Sequence, residues 1–161
     1  MERHKRLKNL EATEQYLFHG SPDEIGELEP RQPYIFDKKQ NKMVPDGEPA
    51  VVASPYSDVA IFRAIVNKKN IPEKHWSGFG YDGENKKLKF RMSRSTADTA
   101  KEAKGYVHVL NRNEFTPKSP ERPEGMEWRS DKSVKPVEIV EVTADYLPED
   151  ISIEPDPSEN Q

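Results

Sequence analysis

A chain of 161 residues has room for one domain and hardly two. Hydrophobic residues make up 33% of it and charged residues 34%, enough apolar material for one modest core among hydrophilic loops. With 25 basic and 29 acidic residues, a net charge of -4 and no cysteine, the composition excludes disulfides, thiolate metal sites, a cysteine nucleophile and a broad electropositive surface, while leaving room for a local basic patch.

Residues 1–14 are charged, with Leu7 and Leu10 the only large apolar side chains, and read as a short helix or a frayed segment. No apolar stretch follows the basic start, so it does not read as a signal peptide. No run elsewhere approaches the roughly 20 apolar residues of a membrane span, and the expectation is a cytoplasmic protein without membrane contact. Gln15 to His19 reads as the first strand, broken by Gly20-Ser21-Pro22. Residues 23–49, with Pro30, Pro33, Pro45 and Pro49, read as a long polar loop, and loops of that length are commonly functional.

Ala50 to Ala53 is a short apolar strand ended by Ser54-Pro55. Ser57 or Asp58 is placed to cap a helix in which Val59, Ala60, Phe62, Ile65 and Val66 recur at helical spacing. Residues 68–84 read as loop. Leu88 to Met92 alternates as a strand, 94–104 suits a small helix, and Gly105 to Leu110 is a strong strand. After a Pro-rich loop over 113–126, Glu127 to Ser130 opens another strand. Pro136 to Thr143 alternates valine and isoleucine with glutamate, as a half-buried strand does. These elements give an α+β fold: a split antiparallel or mixed sheet of about six strands with few short helices. The organisation is a charged segment at 1–14, one domain at 15–152, and a disordered acidic tail at 153–161.

The four histidines are not paired at metal-binding spacing, the eight glycines form no phosphate loop, and SPYSD lacks the frame of a serine nucleophile. Taken singly, His19 is a strand-end histidine, Phe62 a core residue, and Glu127 a charge beside an indole.

Their order carries more. YLFHGS, then AVVASPYSDVAIF, then GMEWRSDKSVKPVEIVEV resemble the three motif regions of the ADP-ribosyltransferase family, with KGYVHVLNRNEF similar to a strand of its small rifampicin-modifying members. The pattern is nearest to small single-domain enzymes of bacterial or phage type. The resemblance implies that His19 bonds a ribose hydroxyl of NAD and that the Gly20 backbone holds the carboxamide. It further implies that Ser21 adds a hydrogen bond, Phe62 stacks on the nicotinamide and Glu127 is catalytic. NAD is then a substrate, no metal is needed, and the acceptor is open among protein, nucleic acid and small molecule. Many members carry a tyrosine where this chain has Val51, so Tyr56 is the candidate second wall. That departure keeps open a non-catalytic nucleotide- or protein-binding module of the same fold. RNA 2′-phosphotransferases share the fold too, and there Arg31, Arg63 and Arg91 would supply the positive charge.

Overall fold

The computed structural model describes residues 2–72, 76–121 and 125–156; His75 and the last five residues of the expected tail lie outside them. In chain order the elements are α1 (Glu2–Ala12), β1 (Tyr16–Ser21), β2 (Tyr34–Asp37), β3 (Lys42–Pro45), β4 (Val51–Ala53) and α2 (Ser57–Ile65). Then follow β5 (Ser77–Asp82), β6 (Lys87–Ser93), α3 (Arg94–Ala100), β7 (Lys104–Asn111), β8 (Thr116–Pro117), β9 (Trp128–Ser130), β10 (Glu138–Thr143) and β11 (Ser152–Glu154). The fold is α+β, and among the described residues there are four small sheets in which every pairing but β11 to β6 is antiparallel. No helix among the described residues is long and apolar enough to cross a membrane.

β7 is the centre. Its Val107, Val109 and Leu110 are fully buried, and it pairs with β1 on one edge and β10 on the other. Helix α2 lies on one face of this sheet. Val59, Ile61, Phe62 and Ile65 are all at most 4% exposed, and burial of each side chain contributes about 1.5–3 kcal/mol. The helix is closed at both ends from outside itself. Its N-cap residue is Tyr56, which makes no side-chain capping bond, so the cap expected from Ser57 or Asp58 is not the one used. Instead the Glu11 carboxylate of α1 accepts from the Ser57 amide (2.8 Å) and hydroxyl (2.7 Å), placing an anion at the helix N-terminus. At the other end the Asn70 side-chain amide donates to the carbonyls of Ala64 and Ile65 and also to Lys104 of β7. The orphan carbonyls of the helix thus tie it to the sheet.

The opposite face of β1 and β7 carries Leu17 and Leu110, which meet Val51, Ala53, Phe115 and Val134 in a second core beneath the sheet β4-β9-β8. β5, β6 and β11 form a third sheet, and β2 with β3 a two-stranded hairpin of their own.

Three expectations are corrected. The described residues hold eleven strands, not six, because five lie in stretches that read as loop or tail. β1 does not stop at His19 but continues through Gly20 and Ser21, opposite Val107 and Tyr106. Of the two readings of residues 1–14, the helix is the one formed: Leu7 of α1 is fully buried in the main core and Arg6 pairs bidentately with Glu138. Ile153 and Glu154 belong to a strand paired with β6, so the acidic tail does not begin at 153.

Candidate functional site

β1 and β4 start side by side and then part. Phe18 and Ser54 exchange both backbone bonds (2.7 and 2.9 Å), and this is the one backbone bridge between these two segments among the described residues. One step further the Val52 carbonyl, which a continuing ladder would give to Gly20, accepts the His19 ring Nδ1–H instead, at 2.7 Å. The side chain holds the strands apart. Backbone groups alternate along a strand, so the amide edge of Gly20 faces the same side as that of Phe18 and looks into the gap.

Two hollows meet there. The larger, about 450 Å³, is lined by Ser21, Leu28, Arg31 and Asn67; the smaller, about 110 Å³, by Phe79, Met126 and Glu127. His19, Gly20, Val52 and Arg63 line both. A roomier groove of about 550 Å³ along β10 lies elsewhere; in it Arg6 pairs with Glu138 and the Tyr106 hydroxyl donates to Glu141.

The sequence-derived residues divide. His19, Gly20 and Glu127 share the lining of the smaller hollow, and Ser21 lines the larger one while its Oγ accepts the Asp23 amide at 3.1 Å. Phe62 is 2% exposed and presents no open face to a ligand. It packs on Phe90 (ring centroids 5.1 Å apart) and on the edge of Phe79 (5.9 Å). The aromatic wall of the smaller hollow is therefore Phe79, one layer in front of Phe62. Tyr56 lines neither hollow; it stacks on Tyr81 at 6.5 Å. Of the three arginines, Arg31 and Arg63 reach the cleft, whereas Arg91 lies over Trp76. Phe79 left too weak a signal to be singled out, being one alternating residue among glycines.

Charge at the junction is set by burial. The His19 ring is pushed down to about 4, chiefly by burial, opposed by its bond to Val52 and reinforced by His108, Arg63 and Arg31. Since Nδ1 carries the proton, Nε2 is left as an acceptor. His108, across the ladder, is also fixed as neutral. Its Nε2 accepts the Ile25 amide (2.9 Å) and its Nδ1–H donates to the His19 carbonyl (3.1 Å). Burial lowers its pKa as well. Both imidazoles are thus held neutral in the fold but take up a proton near 6.5 when unfolded. Their contribution to stability is complete above pH 6.5 and is lost as the pH falls through the window from 6.5 toward about 4. Thermal melts across that range are expected to show Tm falling on acidification, with a flatter profile in His108→Gln. An unchanged profile in the variant removes His108 from this account.

Glu127 stands just before β9, with its Oε2 2.5 Å from Arg129 of that strand. Arg129 also donates to the Asp46 carbonyl (2.6 Å) and carboxylate (2.9 Å), and Lys118 closes the set at 2.8 Å from Asp46. One guanidinium therefore fixes both the carboxylate of the small hollow and the base of the β2–β3 hairpin. Glu127 keeps Oε1 for another partner. No family model, curated protein or solved structure matches the chain.

Proposed function

We propose that the chain is an NAD-dependent ADP-ribosyltransferase that releases nicotinamide and transfers ADP-ribose to an acceptor. The observation that carries this reading is the convergence of a neutral histidine, an open strand amide and a carboxylate on one split between two strands.

The donor set suits NAD. His19 Nε2 accepts a ribose hydroxyl, and the Gly20 edge pairs with the carboxamide. Phe79 offers a flat face to the nicotinamide ring in the small hollow. In the free protein the Arg63 guanidinium stands 5.1 Å over that ring. Binding draws it toward the pyrophosphate, with Arg31, in the larger hollow and frees the ring. As the bond from ribose C1′ to nicotinamide breaks, the electron pair leaves with nicotinamide and positive charge grows on the ribose. Glu127 stabilises that charge, positioned by Arg129, and takes the proton of the attacking acceptor. Dependence on NAD fits a cytoplasmic setting.

A second reading, a nucleotide-binding module without turnover, rests on Val51, whose side chain is buried in the second core and offers no ring to a ligand. One experiment separates the two. Wild type and His19→Ala are melted with and without NAD, and nicotinamide release is followed in parallel. A ligand at about 100 times its Kd stabilises by about 2.7 kcal/mol, roughly 5–10 °C for a chain of this size. A shift in wild type alone, with release, supports the transferase. A shift without release supports the module. No shift in either protein removes NAD from the account.

A further inference from the structure

The β2–β3 hairpin was not anticipated, and its surface is unlike the rest of the protein. Tyr34, Phe36 and Met43 are 58%, 50% and 57% exposed. The register sets Phe36 opposite Met43 and Tyr34 opposite Pro45, so these side chains share one face. Neither strand pairs with another sheet, and neither ring stacks on another aromatic among the described residues.

A free two-stranded hairpin is marginal in water, yet this one is fastened at both ends. At the tip the Asp37 carboxylate accepts from the Lys39 amide (2.8 Å) and the Gln40 side chain (2.8 Å), while Asn41 takes φ 53 to close the turn. At the base the Asp46 amide donates to the Pro33 carbonyl, Gly47 takes φ 81, and Arg129 clamps Asp46. A rigid arm presenting unsatisfied apolar surface is a binding element.

Its charge narrows the partner. Lys38, Lys39 and Lys42 are exposed and make no ion pair among the described residues. The single acid, Asp37, is spent inside the turn, and its pKa is lowered mainly by the Gln40 side chain. On a chain of net charge -4 this is a basic island. Lysine is depleted at the core of protein–protein interfaces, whereas lysines next to open aromatic faces are the equipment for a single-stranded nucleic acid: Lys38 and Lys39 follow the two rings in the turn, and Lys42, opposite Asp37, adds charge from the other face of the hairpin. Each ring stacks one base and the ammonium groups meet phosphates. Tyr34 and Phe36 lie about 6.8 Å apart along the strand, so each takes its own base. The β5–β6 hairpin repeats the turn, although there Lys89 pairs with Asp82 and Arg91 lies over Trp76. Asp82 accepts from the Glu84 amide and the Asn85 side chain, Lys86 takes φ 53, and Lys86, Lys87, Lys89 and Arg91 follow.

We infer that the β2–β3 hairpin is a docking arm for single-stranded nucleic acid. The chain enters it directly from Arg31, Gln32 and Pro33 on the rim of the larger hollow, so a strand laid along the arm leads to the cleft. The inference concerns binding and holds whatever chemistry the cleft performs.

The test is anisotropy of labelled oligothymidylate and oligouridylate with the whole chain and no NAD, which keeps it separate from NAD turnover. Wild type is expected to bind, with an affinity that falls with salt at a log–log slope near about -2 for three phosphate contacts. Tyr34→Ser with Phe36→Ser should weaken binding about tenfold or more. Lys38→Gln, Lys39→Gln and Lys42→Gln together should flatten the salt slope. All five positions are exposed, and an unchanged Tm confirms that each variant folds. No binding at low salt overturns the inference, as does equal binding of duplex or indifference to loss of both rings. A dimer in sedimentation that disappears with the ring variant, or capture of polyglutamate in place of the oligonucleotides, overturns it in favour of a protein partner.

Discussion

Gly20→Ala is expected to cost at least about 3 kcal/mol, a fall of roughly 6–12 °C in Tm. A Cβ built on Gly20 runs into the Ala60 carbonyl oxygen and lies 2.8 Å from the Ala64 amide nitrogen. Both are backbone atoms of α2, so no side chain can swing aside, and the helix itself must lift from the sheet. Gly105 of β7 makes the same approach, its Cβ meeting the Ala64 carbonyl 2.7 Å from the carbon. Gly105 lines neither hollow. That separates two reasons for a glycine after His19. Where helix packing governs, Gly20→Ala and Gly105→Ala lose similar stability, while Gly26→Ala, with nothing within 4 Å, stays within about 0.5 kcal/mol. Where the ligand alone governs, Gly20→Ala keeps its Tm and loses only NAD binding. The contacts favour the first: the glycine first lets α2 lie flat on β1, and the open amide edge is a consequence of the split beside it.

How much of this was legible follows from which forces leave a local trace. α2 and β10 bury one face and β1 and β7 both, and burial writes itself into the sequence as period 3.6, period 2 or an apolar run. β2, β3 and β5 bury little, so hydropathy is silent about them. Their signal lies in turn chemistry instead. FDKKQNKM and YDGENKKL share an aspartate followed three residues later by an amide side chain and then by a residue at positive φ, a pattern hidden while the flanking stretches read as polar loop. β11 and the capping of α2 by Glu11 depend on partners 61 and 46 residues away in sequence, which no window sees. The site was half legible for the same reason. The order His19, Gly20, Glu127 survives in the chain, but which aromatic faces the cleft is a matter of packing. Helical spacing marks Phe62 as inward-facing without saying whether core or cavity lies there, and the answer is the core, with Phe79 in front.

Glu127→Gln is the variant on which the proposed chemistry turns, and it is expected to reduce nicotinamide release at least a hundredfold, within the range of about 10² to 10⁴ for loss of a positioned acid–base group. The substitution keeps shape and an oxygen for Arg129 but removes the negative charge that, in the proposed mechanism, faces the ribose as the glycosidic bond opens. In the proposed mechanism, binding before that step involves His19, Gly20 and Phe79, so the stabilisation by NAD should survive within about 1 kcal/mol. Loss of turnover with binding intact is the signature of a group used in the transition state and not in the ground state. Arg129→Lys supplies the control, since a lysine cannot hold Glu127 and both acceptors of Asp46 with one planar fork. Acting through Glu127, it should lower the rate less than Glu127→Gln and leave NAD binding unchanged. If Glu127→Gln turns NAD over at the wild-type rate, the carboxylate has no part in the reaction. The fixed pair of Glu127 and Arg129 then stands as a strut, locking the base of the basic hairpin to the sheet that carries the cleft.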